Sequence, residues 1–247
     1  YLRITVTDRC NMRCVYCMPP QGVDPVAHQD ILRNEEVVRL VRAGTRAGIK
    51  KVRITGGEPL VRKGLVGLVE SLNLIPEIDD IAITTNGVLL PGFGKELKKA
   101  GLRRVNISLD TLDPDLYRFI TRIGNFAEAW RGIETALELG LHPVKLNTVV
   151  MKGFNDGEIE DLAALTIQYP LHVRFIELMP VGVSDSWTAD RTVPAAAVKK
   201  TIEQKLGRLE AARSPCGNGP ARYYRLPQSR GTIGFISAVS DHFCASC

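Results

Sequence analysis

Along this chain, short runs of β-branched residues alternate with longer segments whose apolar residues recur at helical spacing. The strand-like runs are Leu2–Thr7, Lys51–Thr55, Ile81–Thr85, Arg104–Leu109, Val144–Val150 and His172–Glu177. The first helical segment starts at Asn34, which we predict as its N-cap. Further helical segments cover Lys95–Ala100, Ala127–Leu139 and Asp156–Ile167. Six strand-then-helix units predict parallel strands joined by right-handed crossovers.

Polar residues stand at or just after the carboxyl ends of these predicted strands. Cys10 follows the first strand, the run Thr55–Glu58 the second, Asn86 the third and Asp110 the fourth. Polar residues at the ends of many strands favour a barrel over an open sheet, because the functional site of an open sheet lies in a single crevice. A full barrel of this kind needs eight units, so we predict an α/β fold with a partial (βα)6 TIM-like barrel.

The pattern changes after Glu177. A helical segment covers Val193–Leu206, and the strand-like runs Tyr223–Leu226 and Thr232–Val239 are predicted to pair antiparallel. We therefore place a domain boundary near Met179, with residues 1–179 as a partial barrel and residues 180–247 as a C-terminal extension.

Composition places the chain among ordinary globular proteins. Of its 247 residues, 45% are hydrophobic and 24% charged, a balance that excludes disorder or a coiled coil for the whole chain. No apolar run reaches the roughly 18 to 20 residues of a membrane span. The 32 basic and 27 acidic residues leave a net charge of +5, too small for a general nucleic-acid binder but suited to a localised anionic ligand. Because the chain opens inside a predicted strand and stops on a Cys-x-x-Cys pair, we expect it to be part of a longer protein.

Three of the six cysteines stand close together after the first strand. Cys10, Cys14 and Cys17 form a Cys-x-x-x-Cys-x-x-Cys motif, and three thiols cannot all pair in disulfides among themselves. Sulfur ligands at this spacing suit zinc or an iron–sulfur cluster. A structural zinc site would need a fourth ligand, and no further Cys or His lies near in sequence. A cubane held by three cysteines leaves one iron open, so the motif favours an iron–sulfur site over a zinc site or inert core thiols.

The spacing of these cysteines, together with two neighbouring features, resembles the radical S-adenosylmethionine (SAM) superfamily. The two features are Tyr16, directly before the last cysteine, and the run Gly56-Gly57-Glu58-Pro59 after the second strand. The resemblance covers essentially the whole chain and implies the same partial barrel. It also implies a [4Fe–4S] cluster whose open iron chelates the amino and carboxylate groups of SAM. An electron from such a cluster cleaves the sulfonium C–S bond and gives a 5′-deoxyadenosyl radical.

Further motifs narrow the resemblance to the GTP 3′,8-cyclase family, which carries out the first step of molybdenum cofactor (molybdopterin) biosynthesis. The matching segments are Thr7–Cys14, Tyr16–Pro19, Arg53–Leu60, Thr84–Gly87, Asn106–Asp110, Arg174–Glu177 and Phe243–Cys247. The resemblance implies a radical SAM lyase that removes hydrogen from C3′ of GTP, joins C3′ to C8 of guanine and yields (8S)-3′,8-cyclo-7,8-dihydroguanosine 5′-triphosphate. It also implies a second [4Fe–4S] cluster on three cysteines, whose free iron meets the guanine base.

This resemblance assigns roles to individual residues. The ligands of the SAM cluster are Cys10, Cys14 and Cys17, and the SAM contacts are Tyr16, Gly57, Ser108 and Met179. The GTP contacts are Arg3, Arg53, Thr84 and Lys145, with Lys51 and Arg174 nearby. Arginine forks and lysine ammonium groups suit a triphosphate, which carries roughly four negative charges. For any one of these basic residues, a solvated charge at a strand edge is the alternative.

The remaining cysteines lie towards the end of the chain. The resemblance assigns Cys244 and Cys247 to the second cluster, with the third ligand expected beyond the last residue. Cys216 lies in a loop rich in proline and glycine, at a spacing foreign to the family, and we predict a free surface thiol there.

The expected partners follow from the same resemblance. The small molecules are GTP and SAM. The protein partners are a flavodoxin- or ferredoxin-like electron donor, the downstream cyclic pyranopterin monophosphate synthase and a second copy of the chain in a homodimer. We expect binding to neither nucleic acid nor a membrane. The expected location is the cytoplasm for a bacterial protein and the mitochondrial matrix for a eukaryotic one. Two alternatives stay open: another radical SAM enzyme with an auxiliary cluster, such as a peptide-modifying one, and a non-enzymatic iron–sulfur or zinc protein.

Overall fold

A computed structural model describes residues 1–24, 26–179, 189–216 and 219–241. The chain divides into two compact units that interleave in sequence. The first unit comprises residues 1–13, 21–107 and 127–144, and the second comprises residues 14–20, 108–126 and 145–247. The domain boundary near Met179 stays a prediction.

The described residues form alternating strands and helices. The strands are β1 (Leu2–Thr5), β2 (Lys51–Thr55), β3 (Asp80–Thr85), β4 (Arg104–Ser108), β5 (Val144–Val150), β6 (Leu171–Glu177), β7 (Glu210–Ala211), β8 (Arg222–Arg225) and β9 (Thr232–Ile236). The helices are α1 (Asn34–Thr45), α2 (Leu65–Asn73), α3 (Leu90–Ala100), α4 (Pro114–Thr121), α5 (Phe126–Glu138), α6 (Ile159–Gln168) and α7 (Ala195–Leu206). Short 3-10 turns cover His28–Asp30, Pro59–Val61, Asp156–Glu158 and Ala189–Arg191.

The sheet of the first unit has two chemically different faces. Its strands run parallel in the order β1-β2-β3-β4, and the register places Arg3 beside Arg53. Successive side chains point to opposite faces, so this register gathers the polar residues on one face. The polar face carries Arg3, Lys51, Arg53, Asp80, Thr84, Arg104 and Asn106. The opposite face is apolar, with Ile54, Ile83 and Ile107 fully buried, and helices α1 to α3 also bury their apolar stripes.

In the second unit the strands follow the order β5-β6-β9-β8-β7. Strands β6 and β9 pair in parallel, whereas β8 pairs antiparallel with both β9 and β7. Helices α6 and α7 pack on this sheet and on each other, and each buries its apolar residues. The rings of Phe175 and Phe235 stack between β6 and β9 at a centroid distance of 6.1 Å.

The structure confirms much of the predicted secondary structure. All six predicted strands are present, β1 to β4 are parallel, and β8 and β9 form the predicted antiparallel pair. The predicted N-cap is wrong by one residue, because Arg33 caps α1 and its backbone N–H donates to Glu36 at 2.8 Å. Asn34 is already helical, and its side chain donates to Gly64 instead. The sequence prediction also omits α2. In the described part of the chain, no helix has the length and apolarity to cross a membrane.

Candidate functional site

The second half of the cysteine motif is a turn held in the second unit. The backbone N–H groups of Cys17 and Met18 both donate to the carbonyl of Cys14, at 2.9 and 3.0 Å. The N–H of Val15 donates to Ile120 at 2.9 Å, just before the end of α4. The Val15 side chain is buried in a cluster with Ile120, Met151 and Leu178. This turn therefore packs within the second unit through the apolar side chain of Val15, while Cys14 is half-buried and Cys17 lies nearer the surface.

Tyr16, between the two cysteines of the turn, is locked by a buried carboxylate. Its hydroxyl donates to Oδ2 of Asp110 at 2.6 Å, and the N–H of Val149 donates to Oδ1 at 2.8 Å. Burial raises the pKa of Asp110 to about 6, although both hydrogen bonds lower it. Burial and the nearby Asp110 charge raise the pKa of Tyr16 well above its ordinary value, so the phenol stays a donor. Burial and Asp110 also raise the pKa of the Cys17 thiol.

In the first unit, the backbone of Gly57 and Glu58, which follow β2, is hydrogen-bonded to the backbone of the residues before Cys10. The N–H of Gly57 donates to Thr7 at 2.7 Å, and the N–H of Glu58 donates to Arg9 at 2.8 Å. A Cβ atom at Gly57 would lie 2.3 Å from the carbonyl oxygen of Arg9, so only glycine fits there. This close approach fixes the backbone leading to Cys10.

Glu58 ties this run to the residues that follow β3. Its buried carboxylate accepts hydrogen bonds from the N–H of Leu60, the hydroxyl of Thr85 and the N–H of Asn86, at 3.0, 2.8 and 2.7 Å. The side chain of Asn86 in turn donates to Asn11 at 2.8 Å, next to Cys10. Burial raises the pKa of Glu58 even though these bonds lower it.

The three motif cysteines suit a cluster by donor chemistry. Each of Cys10, Cys14 and Cys17 offers a sulfur donor, and none of the three is fully buried. The N–H of Met12 already lies 3.4 Å from the Cys10 sulfur, as a donor to it. Within the described residues, however, no three His, Cys, Asp or Glu side chains are arranged as a metal site.

Among the residues assigned to GTP in the first unit, exposure differs sharply. Arg53 is 7% exposed, and its guanidinium lies 5.2 Å from the ring centroid of Tyr1. Thr84 is half-buried and accepts from the side chain of Asn106 at 3.2 Å. Arg3 shares their face of the sheet but is exposed. A solvated edge charge therefore describes Arg3 in this structure and does not describe Arg53.

In the second unit, the lysine assigned to GTP is buried. Lys145 is 2% exposed, its Nζ donates to the carbonyl of Cys216 at 2.5 Å, and the same nitrogen lies 5.5 Å from the ring centroid of Tyr223. Arg174 on β6 is also buried, beside Gly234, where a Cβ would lie 3.1 Å from the arginine Cγ. The glycine thus makes room for the arginine side chain.

The other assigned residues of the second unit are more accessible. Ser108 is half-buried at the end of β4, and Met179 is 48% exposed after β6. The Cys216 thiol is free and half-buried. Cys244 and Cys247 lie outside the described residues.

Glu177, at the end of β6, joins three separate segments of the second unit, a role that sequence reasoning missed. Its Oε1 accepts from the N–H of Ala195, the first residue of α7, at 2.7 Å and from the hydroxyl of Ser240. Its Oε2 accepts from the N–H groups of Val239 and Ser240, both at 2.8 Å. One buried carboxylate thus joins a strand end, a helix start and a segment 62 residues away.

Replacing Glu177 with glutamine is expected to lower the free energy of unfolding by about 1.5 to 3 kcal/mol, because the new amide NH2 would face N–H or O–H donors. Burial raises the pKa of Glu177, but the bonds from Ser240, Ala195 and Val239 outweigh it and leave the pKa below its ordinary value. The stabilisation is therefore full above the ordinary carboxyl pKa, roughly 4.3, and is lost as pH falls through the lower folded value. Urea unfolding from pH 3 to 7 measures this, with the exposed Glu210→Gln as control. A difference independent of pH would contradict it.

Comparison with known proteins first defines the class. The sequence pattern of the Radical SAM superfamily matches residues 4–166, and that of Molybdenum Cofactor Synthesis C matches residues 171–247. Streptococcus suis SuiB bound to S-adenosylmethionine has a similar fold, with a TM-score of 0.65 and 19% identity over 82% of this chain and 45% of SuiB. Methylornithine synthase gives a TM-score of 0.58 and 20% identity over 72% of this chain and 53% of that one. At such identities the likeness concerns the fold alone, which is that of radical SAM enzymes.

Closer relatives then give the family. A GTP 3′,8-cyclase of Pelotomaculum thermopropionicum is 62% identical over 247 residues, which are 100% of this chain and 76% of that protein. A GTP 3′,8-cyclase of Desulforamulus reducens is 56% identical over the same shares. This chain belongs to the GTP 3′,8-cyclase family, as its motifs predict. Membership of the radical SAM superfamily implies a [4Fe–4S] cluster and SAM as cofactors.

Proposed function

We propose that this chain is a GTP 3′,8-cyclase, a radical SAM lyase that converts GTP to (8S)-3′,8-cyclo-7,8-dihydroguanosine 5′-triphosphate as the first step of molybdopterin biosynthesis. The observation that carries the proposal is the 62% identity, over all 247 residues, to a protein of that name. Burial of Arg53 and Lys145 supports it, because a poorly solvated cation attracts phosphate oxygens more strongly than a hydrated one.

We assign the SAM cluster to Cys10, Cys14 and Cys17. When bound, the cluster and SAM supply a 5′-deoxyadenosyl radical. The protein's own contribution is to hold the reactants in place, since hydrogen abstraction depends on near-contact geometry. Tyr16, fixed by Asp110, presents a ring of defined orientation to SAM, and the bare backbone at Gly57 allows SAM to approach closely.

The other assigned contacts complete the substrate site. Ser108 and Met179 would also contact SAM, and Arg3, Arg53, Thr84 and Lys145 would contact GTP. The arginines and the lysine would neutralise the triphosphate, while Thr84 offers a hydroxyl that can donate or accept.

The proposal extends to partners and location. Cys244 and Cys247 would ligate a second [4Fe–4S] cluster together with a cysteine outside this chain. A flavodoxin- or ferredoxin-like protein would deliver electrons, and cyclic pyranopterin monophosphate synthase would consume the product. We also propose a homodimer. The most similar relatives described above are bacterial, which favours the cytoplasm over the mitochondrial matrix.

The decisive experiment is anaerobic turnover of the complete, reconstituted protein with SAM, dithionite and GTP. The proposal expects 5′-deoxyadenosine and a GTP-derived product in which C3′ and C8 are joined, both detected by mass spectrometry. SAM cleavage with no affinity for GTP would instead favour a different radical SAM enzyme. Zinc at one ion per chain, with no iron–sulfur absorbance near ~410 nm, would favour the non-enzymatic alternative.

Lys145→Ala is expected to weaken GTP binding by roughly 10- to 100-fold, because it removes a buried cation from the proposed phosphate site. Equilibrium dialysis against labelled GTP measures the affinity, and the cluster absorbance should be unchanged. Lys152→Ala, an exposed lysine just beyond β5, serves as the control. Loss of cluster absorbance in Lys145→Ala, or unchanged GTP affinity, would contradict the assignment of Lys145 as a GTP contact.

A further inference from the structure

The turn that ends helix α4 contains a strained residue. Arg122, directly after α4, has φ 63° and ψ −41°. Among the residues that the structure describes, it is the only one other than glycine with a positive φ. Residues with a side chain rarely adopt a positive φ, and the ψ of Arg122 also lies outside the small left-handed region that such residues can enter. Local backbone preference therefore disfavours arginine at this position, and contacts of its side chain must offset the cost.

The Arg122 side chain makes such a contact with the cysteine turn, residues 14–18. Its Nη1 donates to the carbonyl oxygen of Met18 at 2.8 Å, and Met18 directly follows Cys17. Just before the strained residue, Ile120 accepts the N–H of Val15 at 2.9 Å. The end of α4 therefore holds the cysteine turn at two points, one on each side of Tyr16 and Cys17.

The turn itself is tight enough to fix the direction of the arginine. The hydroxyl of Thr121 donates to the carbonyl of Tyr117 at 2.7 Å and accepts from the N–H of Gly124 at 3.1 Å. A Cβ atom at Gly124 would lie 2.6 Å from that hydroxyl. With residues on both sides of it fixed, Arg122 has its backbone imposed by the turn, and its side chain starts from a defined point.

We propose that Arg122 is a positioning residue of the radical SAM site. Its guanidinium fixes the Met18 carbonyl, and through it the backbone that places Cys17 and Tyr16 for the cluster and for SAM. The strained conformation persists because the bonds of Thr121 and the bond from Arg122 to Met18 impose it together. The inference rests on the proposed assignment of Cys14 and Cys17 as cluster ligands and is independent of GTP as the substrate.

Arg122→Gly separates positioning from helix termination, because glycine relieves the strained φ and removes the guanidinium. Hydrogen exchange of the apo-protein measures the exchange rates of the Cys17 and Met18 backbone amides, which donate to the carbonyl of Cys14. We expect both amides to exchange about five- to tenfold faster, since one supporting hydrogen bond is lost. The midpoint of thermal unfolding should stay within roughly 3 °C of the wild type, because relief of strain offsets that loss. In the reconstituted protein the Kd for SAM should rise about fivefold or more.

Two further variants sharpen the test. Arg122→Lys should restore part of the protection and of the SAM affinity, because its ammonium group can reach the same carbonyl. Arg118→Ala removes an exposed arginine one turn earlier in α4 and should change neither quantity.

A residue that merely ends the helix would behave differently. Wild-type exchange and wild-type SAM affinity in Arg122→Gly would overturn the proposal. If that variant fails to fold, the same result in Arg122→Asn would overturn it equally, since asparagine is too short to replace the guanidinium. A wild-type protein that cleaves SAM but does not convert GTP would count against the proposed cyclase alone, because neither readout involves GTP.

Discussion

Asp80→Asn is expected to lower the free energy of unfolding by about 3 to 5 kcal/mol, the usual cost of removing one partner from a buried ion pair. The guanidinium of Arg104 meets the Asp80 carboxylate at 2.5 to 3.0 Å, with the two side chains only 2% and 10% exposed. Asparagine would leave the guanidinium buried without a balancing charge. Urea denaturation at neutral pH, followed by circular dichroism, measures the difference.

Two controls identify the cause of that loss. In the second unit, Lys205 and Glu160 are 3.7 Å apart and are 63% and 34% exposed, so Glu160→Gln should cost no more than about 1 kcal/mol. The double variant Asp80→Leu with Arg104→Met should recover most of the stability, because it removes both charges together. A small effect of Asp80→Asn, or a double variant less stable than it, would show that the pair does not carry this energy.

Gly57→Ala is expected to destabilise the protein by about 3 kcal/mol and to weaken SAM binding at least about tenfold. The added Cβ would lie 2.3 Å from the carbonyl oxygen of Arg9 and 2.8 Å from that of Asp8. Both neighbours are backbone atoms, so no side chain can rotate away and the segment before Cys10 must move. Thermal unfolding of the apo-protein and equilibrium dialysis with SAM measure the two effects.

Gly67→Ala is the matched control for this substitution. Gly67 lies within α2, and a Cβ there would meet nothing within 4 Å. Alanine should therefore stabilise the protein by about 0.5 to 1 kcal/mol, because it favours the helix over the unfolded chain. Equal behaviour of the two alanine variants would refute the role given to the backbone contact at Gly57.

The regular elements were predictable where the local pattern and the packing agree. Strands β2 and β5 match their predicted bounds, since β-branched residues make up three of five and four of seven positions and each strand has buried residues on both faces. Helix α2 escaped prediction because it has nine residues and contains Gly67, which weakens its helical signal. The N-cap prediction at Asn34 failed because tertiary contacts with Arg62 and Gly64 occupy its side chain.

At the candidate site, spacing in sequence indicates the proposed ligands but not the residues that support them. The cysteine motif is local, and residue spacing alone indicates its chemistry. Asp110 is 94 residues from Tyr16, and Arg122 is 104 residues from Met18. Nothing in a single sequence links such pairs, because the fold alone brings them together. The burial of Lys145 was likewise beyond prediction, since a lysine on a strand is more often exposed.

The two faces of the first unit's sheet respond differently to temperature. Burial of the isoleucines on the apolar face stabilises less as the protein is cooled, because hydrophobic stabilisation weakens on cooling. The pair of Asp80 and Arg104 on the polar face becomes less costly on heating, since the hydration that each charged group forgoes is worth less at high temperature. The hydrophobic contribution per unit area plateaus over the same range. The four strands of the first unit therefore combine one contribution that weakens in the cold with another that gains in the heat.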